Sequence, residues 1–370
     1  MNFTTVKVNN RSLRLSYGLC CALLLSTCAV QPPGTSDLED ISIEIAAVGD
    51  IMLGTDYPKD TLPDNDENIL LPVAPYLRQA DVAFGNLEGV LLDGGEPAKQ
   101  CSSPNSCYLF RTPTRYAPYL REAGFDVMSL ANNHARDFGE EGRESSMRAL
   151  SVLGIHHSGQ LGDIASWQVK GLRVALVAFA PFGNSNDMLD IPKAVEVVRA
   201  LSRQHEIVMV SIHGGAEGLD VLHIPFAKEF YRGEDRGDVV QFSRAVIDAG
   251  ADLVFGHGPH VPRAMELYKD RLIAYSLGNF STHWGINVKG LRGLAPILLA
   301  RVDRTGRFQQ GQIISARQLR PAGPFIDPSH EAARLISELT RQDFPDTPLE
   351  ISASGRISRK VRQTSEVADR

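Results

Sequence analysis

The sequence has few cysteines, few aromatic residues and no surplus of basic charge. Five of its 370 residues are cysteines, 7% are aromatic, and 38 Lys and Arg stand against 44 Asp and Glu, a formal net charge of −6. Without a basic surplus the chain does not neutralise phosphates as nucleic-acid binders do, so we expect no nucleic-acid partner. It also has no internal repeat, which excludes a solenoid. What remains is a globular composition, 43% hydrophobic and 22% charged, long enough for a large core.

The N-terminal segment has an apolar run that is too short to span a bilayer, which takes about 20 residues. The run, LCCALLLSTC, follows three basic residues and no acidic one, which predicts a signal peptide over residues 1–28. Its end, Leu25-Ser26-Thr27-Cys28, resembles a lipobox, so we expect Cys28 to be lipidated and to bind the chain to a membrane. A secreted chain without lipid and an uncleaved anchor are the alternatives.

These features predict an exported protein of the cell envelope. Ala29 rather than Asp follows Cys28, which favours an outer-membrane lipoprotein facing the periplasm if the cell is Gram-negative. Two further cysteines, Cys101 and Cys107, close the polar turn CSSPNSC. In an exported chain this spacing predicts a local disulfide, worth roughly 2 kcal/mol for so small a ring. Two free thiols and a metal-binding pair are the alternatives.

The rest of the chain divides into a linker, one domain and a tail. Residues 29–41 are polar with Pro and Gly, which predicts a linker. Residues 350–370 have few large apolar residues and predict a polar C-terminal tail. Between them, residues 42–349 alternate strands and helices, which predicts a single α/β domain. The main predicted strands are Ile43–Val48, Val82–Phe84, Asp126–Leu130, Glu206–Ile212 and Leu253–Phe255. The main predicted helices are Ile69–Gln79, Arg115–Ala123, Glu140–Leu153, Ala194–Leu201 and Val239–Ala249.

Polar side chains of the metal-binding type follow five of the predicted strands. The segments are Gly49-Asp50, Gly85-Asn86-Leu87-Glu88, Asn132-Asn133-His134, His213-Gly214-Gly215 and His257-Gly258-Pro259-His260. Because the carboxyl ends of parallel strands converge on one crevice, we expect these side chains to lie together. Mixed carboxylate, amide and imidazole ligands suit Mn, Fe or Zn ions. A carboxylate between two ligand clusters can bridge two ions, as in sites for displacement at phosphorus. The sequence therefore predicts a divalent metal site, with two ions as the expected number.

The same segments resemble a known family. They are AAVGDIMLG, AFGNLEGVL, AGFDVMSLANNHARDFGEEG, IHGG followed by Glu217, and DAGADLVFGHGPHV with YSLGNF, in order between about residues 42 and 282. They are similar to the CapA family of bacterial capsule and poly-γ-glutamate synthesis proteins, a branch of the calcineurin-like metallophosphoesterase superfamily. The resemblance implies a four-layer α-β-β-α sandwich of metallophosphoesterase type, with mixed sheets around a two-metal site.

The resemblance also implies residue roles. Asp50 and His260 are expected to bind the first metal, and Glu88 stands where the superfamily has a bridging Asp. The expected ligands of the second metal are Asn133, His213 and His257. His134 is expected to be catalytic and to protonate the leaving oxygen. Three amides are candidates for binding substrate: Asn86, Asn132 and Asn279.

Two departures affect these roles, one from the superfamily pattern, which CapA relatives share, and one from the CapA pattern itself. The superfamily's opening Asp-x-His is Asp50-Ile51-Met52 here, and the usual Gly-His-His-Pro-His has Gly258 in its middle. The missing histidine at Met52 predicts a weak or empty first-metal site. The implied function is synthesis or export of an anionic surface polymer, with a membrane polymer-synthesis complex as partner. A periplasmic phosphoesterase with a phosphoester substrate and a non-catalytic scaffold are the alternatives, so whether the chain is an enzyme stays open.

Overall fold

The computed structural model describes residues 41–99 and 108–360. The predicted signal peptide, the lipidation site Cys28 and the pair Cys101 and Cys107 lie outside the described residues. None of the helices in the described part combines the length and the apolar character that a membrane crossing requires.

Two mixed β-sheets form the centre of the fold, with strands numbered in chain order. The first sheet contains β1 (Ser42–Met52), β2 (Val82–Leu87), β5 (Val127–Ser129), β6 (His156–Ser158), β16 (Asn279–Thr282), β17 (Ile297–Asp303), β18 (Phe308–Ile314), β21 (Leu349–Ile351) and β22 (Arg356–Arg359). Their order is β21-β22-β18-β17-β1-β2-β5-β6, and β16 pairs with the end of β1. The strands β1, β2, β5 and β6 are parallel.

The second sheet has seven strands. They are β7 (Ile164–Val169), β8 (Leu172–Ala180), β9 (Asn186–Asp187), β10 (Ile207–His213), β13 (Leu253–His257), β14 (Met265–Tyr268) and β15 (Arg271–Ala274). The order is β14-β15-β13-β10-β8-β7, with β9 beside β8. Three small ladders pair β3 (Val90–Leu91) with β4 (Arg111–Thr112), β11 (Phe230–Tyr231) with β12 (Glu234–Asp235), and β19 (Ala316–Leu319) with β20 (Gly323–Ile326).

In residues 41–99 and 108–360, six α-helices lie outside the sheets: α1 (Ala74–Leu77), α2 (Ala117–Ala123), α3 (Gly139–Val152), α4 (Ile191–Ser202), α5 (Val239–Asp248) and α6 (Glu331–Asp343). Short 3₁₀ turns occupy Asp64–Asp66, Thr114–Tyr116, Leu219–Val221 and Gly290–Gly293. The helices α1 to α3 share an apolar core with the first sheet, and α4 and α5 share one with the second.

A third apolar core lies between the two sheets. Its centre includes Phe84 of the first sheet and Phe255 of the second, whose rings stack 5.2 Å apart. Each sheet therefore has the other sheet on one face and helices on the opposite face. This layer order confirms the predicted α-β-β-α sandwich.

Local sequence signals explain where several helices begin and end. The Asp190 carboxylate accepts from the backbone N–H of Lys193 at the start of α4, and Asp238 caps α5 in the same way. Such side-chain caps satisfy backbone donors that have no partner within the helix. At the end of α2, Gly124 has φ of 108°, a left-handed conformation that glycine adopts without strain. The predicted helices at these positions are confirmed.

Two predictions are corrected. The helix predicted over Ile69–Gln79 is a single turn, α1, because Pro72 and Pro75 lack the N–H that a longer helix needs. The tail predicted over residues 350–370 starts too early, since β21 and β22 extend the first sheet to Arg359. Ile357 is fully buried in this hairpin, and its burial stabilises the hairpin although the residues around it are mostly polar. Residues 361–370 lie outside the described residues.

Candidate metal centre

Ligand-type side chains reach one place from both sheets. In the first sheet, Asp50 of β1 is in register with Asn86 of β2, and Glu88 directly follows β2. In the second sheet, His213 ends β10, His257 ends β13, and the two are in register. Because each pair of strands is parallel, their carboxyl ends meet at one edge. The sandwich brings these two edges together.

Two of these side chains form a compact group with His260, which follows β13. Asp50, Glu88 and His260 offer ligand atoms that all lie within 4.8 Å of one another, the one such group of His, Cys, Asp and Glu in residues 41–99 and 108–360. His260 follows β13 on a tight turn, where Gly258 has φ of 109°. A side chain at Gly258 would place its Cβ 2.9 Å from the carbonyl oxygen of Gly214. The glycine therefore lets the two ligand-bearing loops approach closely.

Several buried ligand atoms of this cluster lack a hydrogen-bonding partner among the described residues. Some contacts are short, such as 3.3 Å between His257 Nδ1 and Asp50 Oδ1, but they lack hydrogen-bond alignment. The atoms without a partner are Asp50 Oδ2, both oxygens of Glu88, Asn133 Oδ1, His213 Nε2 and both ring nitrogens of His257. Buried polar atoms are ordinarily bonded, and carboxylate, amide and imidazole donors without thiolate fit Mn, Fe or Zn ions. The residues present therefore fit a divalent metal.

Burial and charge shift the pKa values in this cluster. Burial raises the pKa of Glu88 to about 8, and Asp50 and Glu217 reinforce the rise while His260 opposes it. Burial also holds the pKa of His213 well below its ordinary value, so its imidazole is neutral and able to bind a metal. For Asp50, burial opposes ionisation, but contacts with His257 and His260 outweigh it and keep its pKa low.

His260, which is partly buried, differs from His213. Burial opposes its charge, yet the carboxylates of Glu88 and Asp50 outweigh this effect and raise the pKa of His260. Without a metal the cluster therefore holds protons at neutral pH, and an ion that binds there must displace them.

His134 faces the cleft beside the cluster and is oriented by Asp137. Its Nδ1 lies 2.7 Å from Asp137 Oδ2, and its ring packs on Phe110 with centroids 4.2 Å apart. Lys99 lies 3.2 Å from the other oxygen of Asp137. Burial lowers the pKa of His134 although Asp137 opposes it. A neutral imidazole that donates Nδ1–H to Asp137 presents Nε2 to the cleft, which suits proton transfer.

The three candidate substrate amides connect the ligand-bearing loops. Asn86 donates to Asp50 Oδ1 at 2.8 Å and accepts from Asn132 at 3.1 Å. Asn132 in turn accepts from the backbone N–H of His134. Asn279 accepts from His260 Nδ1 at 2.9 Å and donates to the His260 carbonyl. The structure thus shows all three amides positioning expected ligands or His134.

The cluster opens into a cleft of about 550 Å³. Glu88, Asn133, His134 and His260 line it, while Asp50, His213 and His257 lie fully buried behind them. The cleft wall carries four cationic and four aromatic side chains: Lys99, Arg232, Arg236, Arg292, Tyr108, Phe110, Phe182 and Tyr231. Glu217 and Glu234 line the same cleft and pair with Arg236, so the wall presents charges of both signs beside its aromatic rings.

A family model for "Bacterial capsule synthesis protein PGA_cap" matches residues 44–283. The chain belongs to this family. The matched region contains every predicted metal ligand and His134. Membership confirms the resemblance to capsule and poly-γ-glutamate synthesis proteins that the sequence motifs indicated.

Related proteins include two from Bacillus. The capsule biosynthesis protein CapA of Bacillus anthracis is 27% identical over 292 residues, covering 75% of this chain and 69% of that protein. The PGA biosynthesis protein CapA of Bacillus subtilis (strain 168) is 27% identical over 330 residues, covering 84% of this chain and 81% of that protein. Among solved structures, a putative 5′-nucleotidase from Staphylococcus aureus in complex with alpha-ketoglutarate has a TM-score of 0.42 and 15% identity. That comparison covers 81% of this chain and 58% of the nucleotidase chain, so this chain spans little more than half of its length.

Two residues of the site were not among the sequence-predicted ones. Asp137 orients His134 and lies three residues after it, a spacing that places side chains on one side of a helical turn. Glu217 has one carboxylate oxygen 4.0 Å from His260 Nε2, and its only sequence signal is its place after the IHGG segment. Both positions depend on loop geometry.

Proposed function

We propose that this chain is an exported, CapA-like protein of the cell envelope that acts in the synthesis or export of an anionic surface polymer. We further propose that its buried cluster is a two-metal, phosphoesterase-like centre. Family membership supports the first part, together with the capsule and PGA biosynthesis named for its Bacillus relatives. The observation that carries the second part is the set of buried ligand atoms without protein partners. A membrane polymer-synthesis complex is the proposed partner.

The proposed division of ligands follows the resemblance to the superfamily. Asp50 and His260 would hold one ion, and Glu88, which forms one group with them and lines the cleft, is the ligand proposed to be shared by both ions. The ligands proposed for the other ion are Asn133, His213 and His257. Bound ions would supply Lewis-acid polarisation of a phosphoryl oxygen and a lowered pKa for water.

His134 is the proposed acid–base group. Its Nε2 is directed to the cleft because Nδ1 is engaged by Asp137, and a lowered pKa makes its protonated form a stronger acid. A scaffold that keeps the cluster only for its shape does not need such a pair. The pair therefore favours an enzyme, and it equally supports a second candidate function, a periplasmic phosphoesterase unrelated to capsule.

The test compares metal content with activity. His257→Ala removes a buried proposed ligand and should reduce bound Mn²⁺, Fe²⁺ or Zn²⁺ in elemental analysis. His134→Ala should keep near-normal metal but hydrolyse a phosphomonoester or phosphodiester about 10²–10⁴-fold more slowly. His223→Ala is the matched control, because His223 is exposed and its imidazole pairs with Asp343, which is not among the proposed ligands.

Each outcome separates the proposals. A wild-type protein that binds none of the three metals after reconstitution refutes the metal centre. Normal metal without hydrolysis in wild type refutes the enzyme and favours the scaffold. Hydrolysis of phosphoesters together with normal surface polymer in a deletion strain would favour the second candidate function.

A further inference from the structure

The first-metal site lacks the histidine that the superfamily pattern places at Met52. The Met52 sulfur accepts from the backbone N–H of Gly54 at 3.2 Å, and the side chain packs with Phe110 and Ile286. Its thioether is therefore engaged within an apolar cluster. A metal held by Asp50, Glu88 and His260 needs a further ligand from another direction.

The contacts of the His260 ring indicate which side chain could supply this further ligand. Its Nδ1 is engaged by the side-chain oxygen of Asn279 at 2.9 Å, so the neutral imidazole carries its proton there. Its Nε2 is then free to bind a metal and lies 3.6 Å from Glu88 Oε1 and 4.0 Å from Glu217 Oε2. Metal–ligand bonds of about 2.0–2.2 Å allow two ligand atoms of one ion to lie up to about 4.4 Å apart. Each separation from Nε2 is below this limit, but Glu217 stands outside the group of Asp50, Glu88 and His260 whose ligand atoms all lie within 4.8 Å of one another, so its carboxylate would have to move toward them to bind the same ion.

Glu217 is held in this position by its second oxygen. Arg236 donates to Glu217 Oε1 at 3.1 Å, and its guanidinium lies over the rings of Phe182 and Tyr231. Only 3% of the Arg236 side chain and 17% of the Glu217 side chain are exposed. The contact fixes one oxygen while the other faces His260, an arrangement typical of groups that support metal ligands.

The loop that carries Glu217 is anchored on both sides. The backbone N–H of Gly218 donates to the carbonyl of Pro259, next to His260. Ala216 bonds through its N–H to Glu229 and through its carbonyl to Arg263. Glu229 and Arg263 form a buried ion pair at 2.8 Å. The loop is thus fixed before any metal binds, so ordering Glu217 costs little entropy on binding.

We propose that Glu217 is a ligand of the first metal and replaces the histidine absent at Met52, with Arg236 as its positioning residue. The proposal rests on the metal centre proposed above and extends it. It means that the departure at Met52 does not leave the first site empty. The ion instead gains a carboxylate from the second sheet, which makes the site more anionic than one with an imidazole there.

The test uses Glu217→Gln, which keeps the shape but weakens the ligand, and Glu234→Gln as a matched control. Glu234 also pairs with Arg236, at 3.0 Å, and also lines the cleft, but its side chain is 59% exposed. Mn²⁺ binding is measured by equilibrium dialysis and elemental analysis. We expect the wild type and Glu234→Gln to bind two ions, and the affinity for one of them to fall at least about tenfold in Glu217→Gln. Unfolding in chelator should be the same for all three proteins.

Equal Mn²⁺ binding by wild type and Glu217→Gln overturns this inference while leaving the metal centre in place. An equal loss in Glu234→Gln also overturns it, because the effect would then come from the pairing with Arg236. A wild type that binds no Mn²⁺, Fe²⁺ or Zn²⁺ refutes the proposed function itself. Arg236→Lys is a second variant, and it should weaken the same ion to a smaller extent because lysine offers one point charge for the carboxylate.

Discussion

Glu88 should destabilise the metal-free protein at alkaline pH, and Glu88→Gln should remove that effect. The side chain is fully buried, and neither of its oxygens has a hydrogen-bonding partner among the described residues. Burial raises its pKa from 4.5 to about 8, so the folded state binds more protons than the unfolded state between these values. The free energy of unfolding of the wild type should therefore fall as pH rises from 4.5 to about 8.

The size of the pKa shift of Glu88 sets the expected loss in the free energy of unfolding. Each pKa unit corresponds to about 1.4 kcal/mol, which gives a loss on the order of 5 kcal/mol across the interval. Glutamine has nearly the same shape and does not ionise. In chelator, Glu88→Gln should match the wild type near pH 5 and be more stable near pH 9.

The assay is urea unfolding in chelator, followed by circular dichroism at several pH values. Glu196→Gln is the control, since Glu196 is exposed and pairs with Lys193 on the surface of α4. With excess metal the wild type should instead be more stable than Glu88→Gln, because metal at a hundredfold its dissociation constant adds about 2.7 kcal/mol to the free energy of unfolding of a protein that binds it. A variant that is less stable than wild type near pH 9 in chelator would refute this reasoning.

Four further outcomes are expected. Cys28→Ser should release the protein from membranes into the soluble exported fraction, whereas a wild type that is already soluble and lipid-free contradicts the anchor. Native exported protein should have a mass two hydrogens lower than the dithiol form, and thiol labelling of both Cys101 and Cys107 would show otherwise. Mn²⁺ affinity should fall between about pH 8 and pH 6, because the buried ligands hold protons that the ion displaces; stronger binding at pH 6 would contradict this. Gly256→Ala should lower the free energy of unfolding by about 3 kcal/mol or more, since its Cβ would lie 2.0 Å from a backbone oxygen. Gly183→Ala, with its nearest atom at 3.7 Å, should be neutral, and equal effects of the two substitutions would be inconsistent with a steric cause.

The sequence predicted those parts of the fold that local signals determine. The helix ends have local causes, since Asp190 and Asp238 cap α4 and α5 and Gly124 ends α2, and caps act within a few residues of themselves. The convergence of candidate ligands such as His257 was predictable because the carboxyl ends of parallel strands meet at one edge of a sheet. Each of these signals can be read from a short segment of the chain by itself.

The parts that were missed depend on distant segments. The hairpin of β21 and β22 has few apolar residues, and Ile357 becomes buried only because β18 provides the edge on which it pairs. Glu217 reaches the cluster through contacts with Arg236 and with the loop of Pro259, and no periodic pattern records such contacts. Asp137 had a local signal, but its role follows from the orientation of His134.

The origin of the ligands in two sheets has a consequence for how the domain folds. The proposed ligands Asp50 and Glu88 lie on, or directly after, strands of the first sheet, and His213 and His257 end strands of the second, so an ion that joined them would cross-link the two layers. The closed loop runs through the chain from Asp50 to His257, and the entropy that such a link removes from the unfolded chain grows with loop length. A divalent ion at this place would raise the free energy of unfolding by holding the two sheets together. The abundance of the protein in a cell would then depend on metal supply as well as on synthesis.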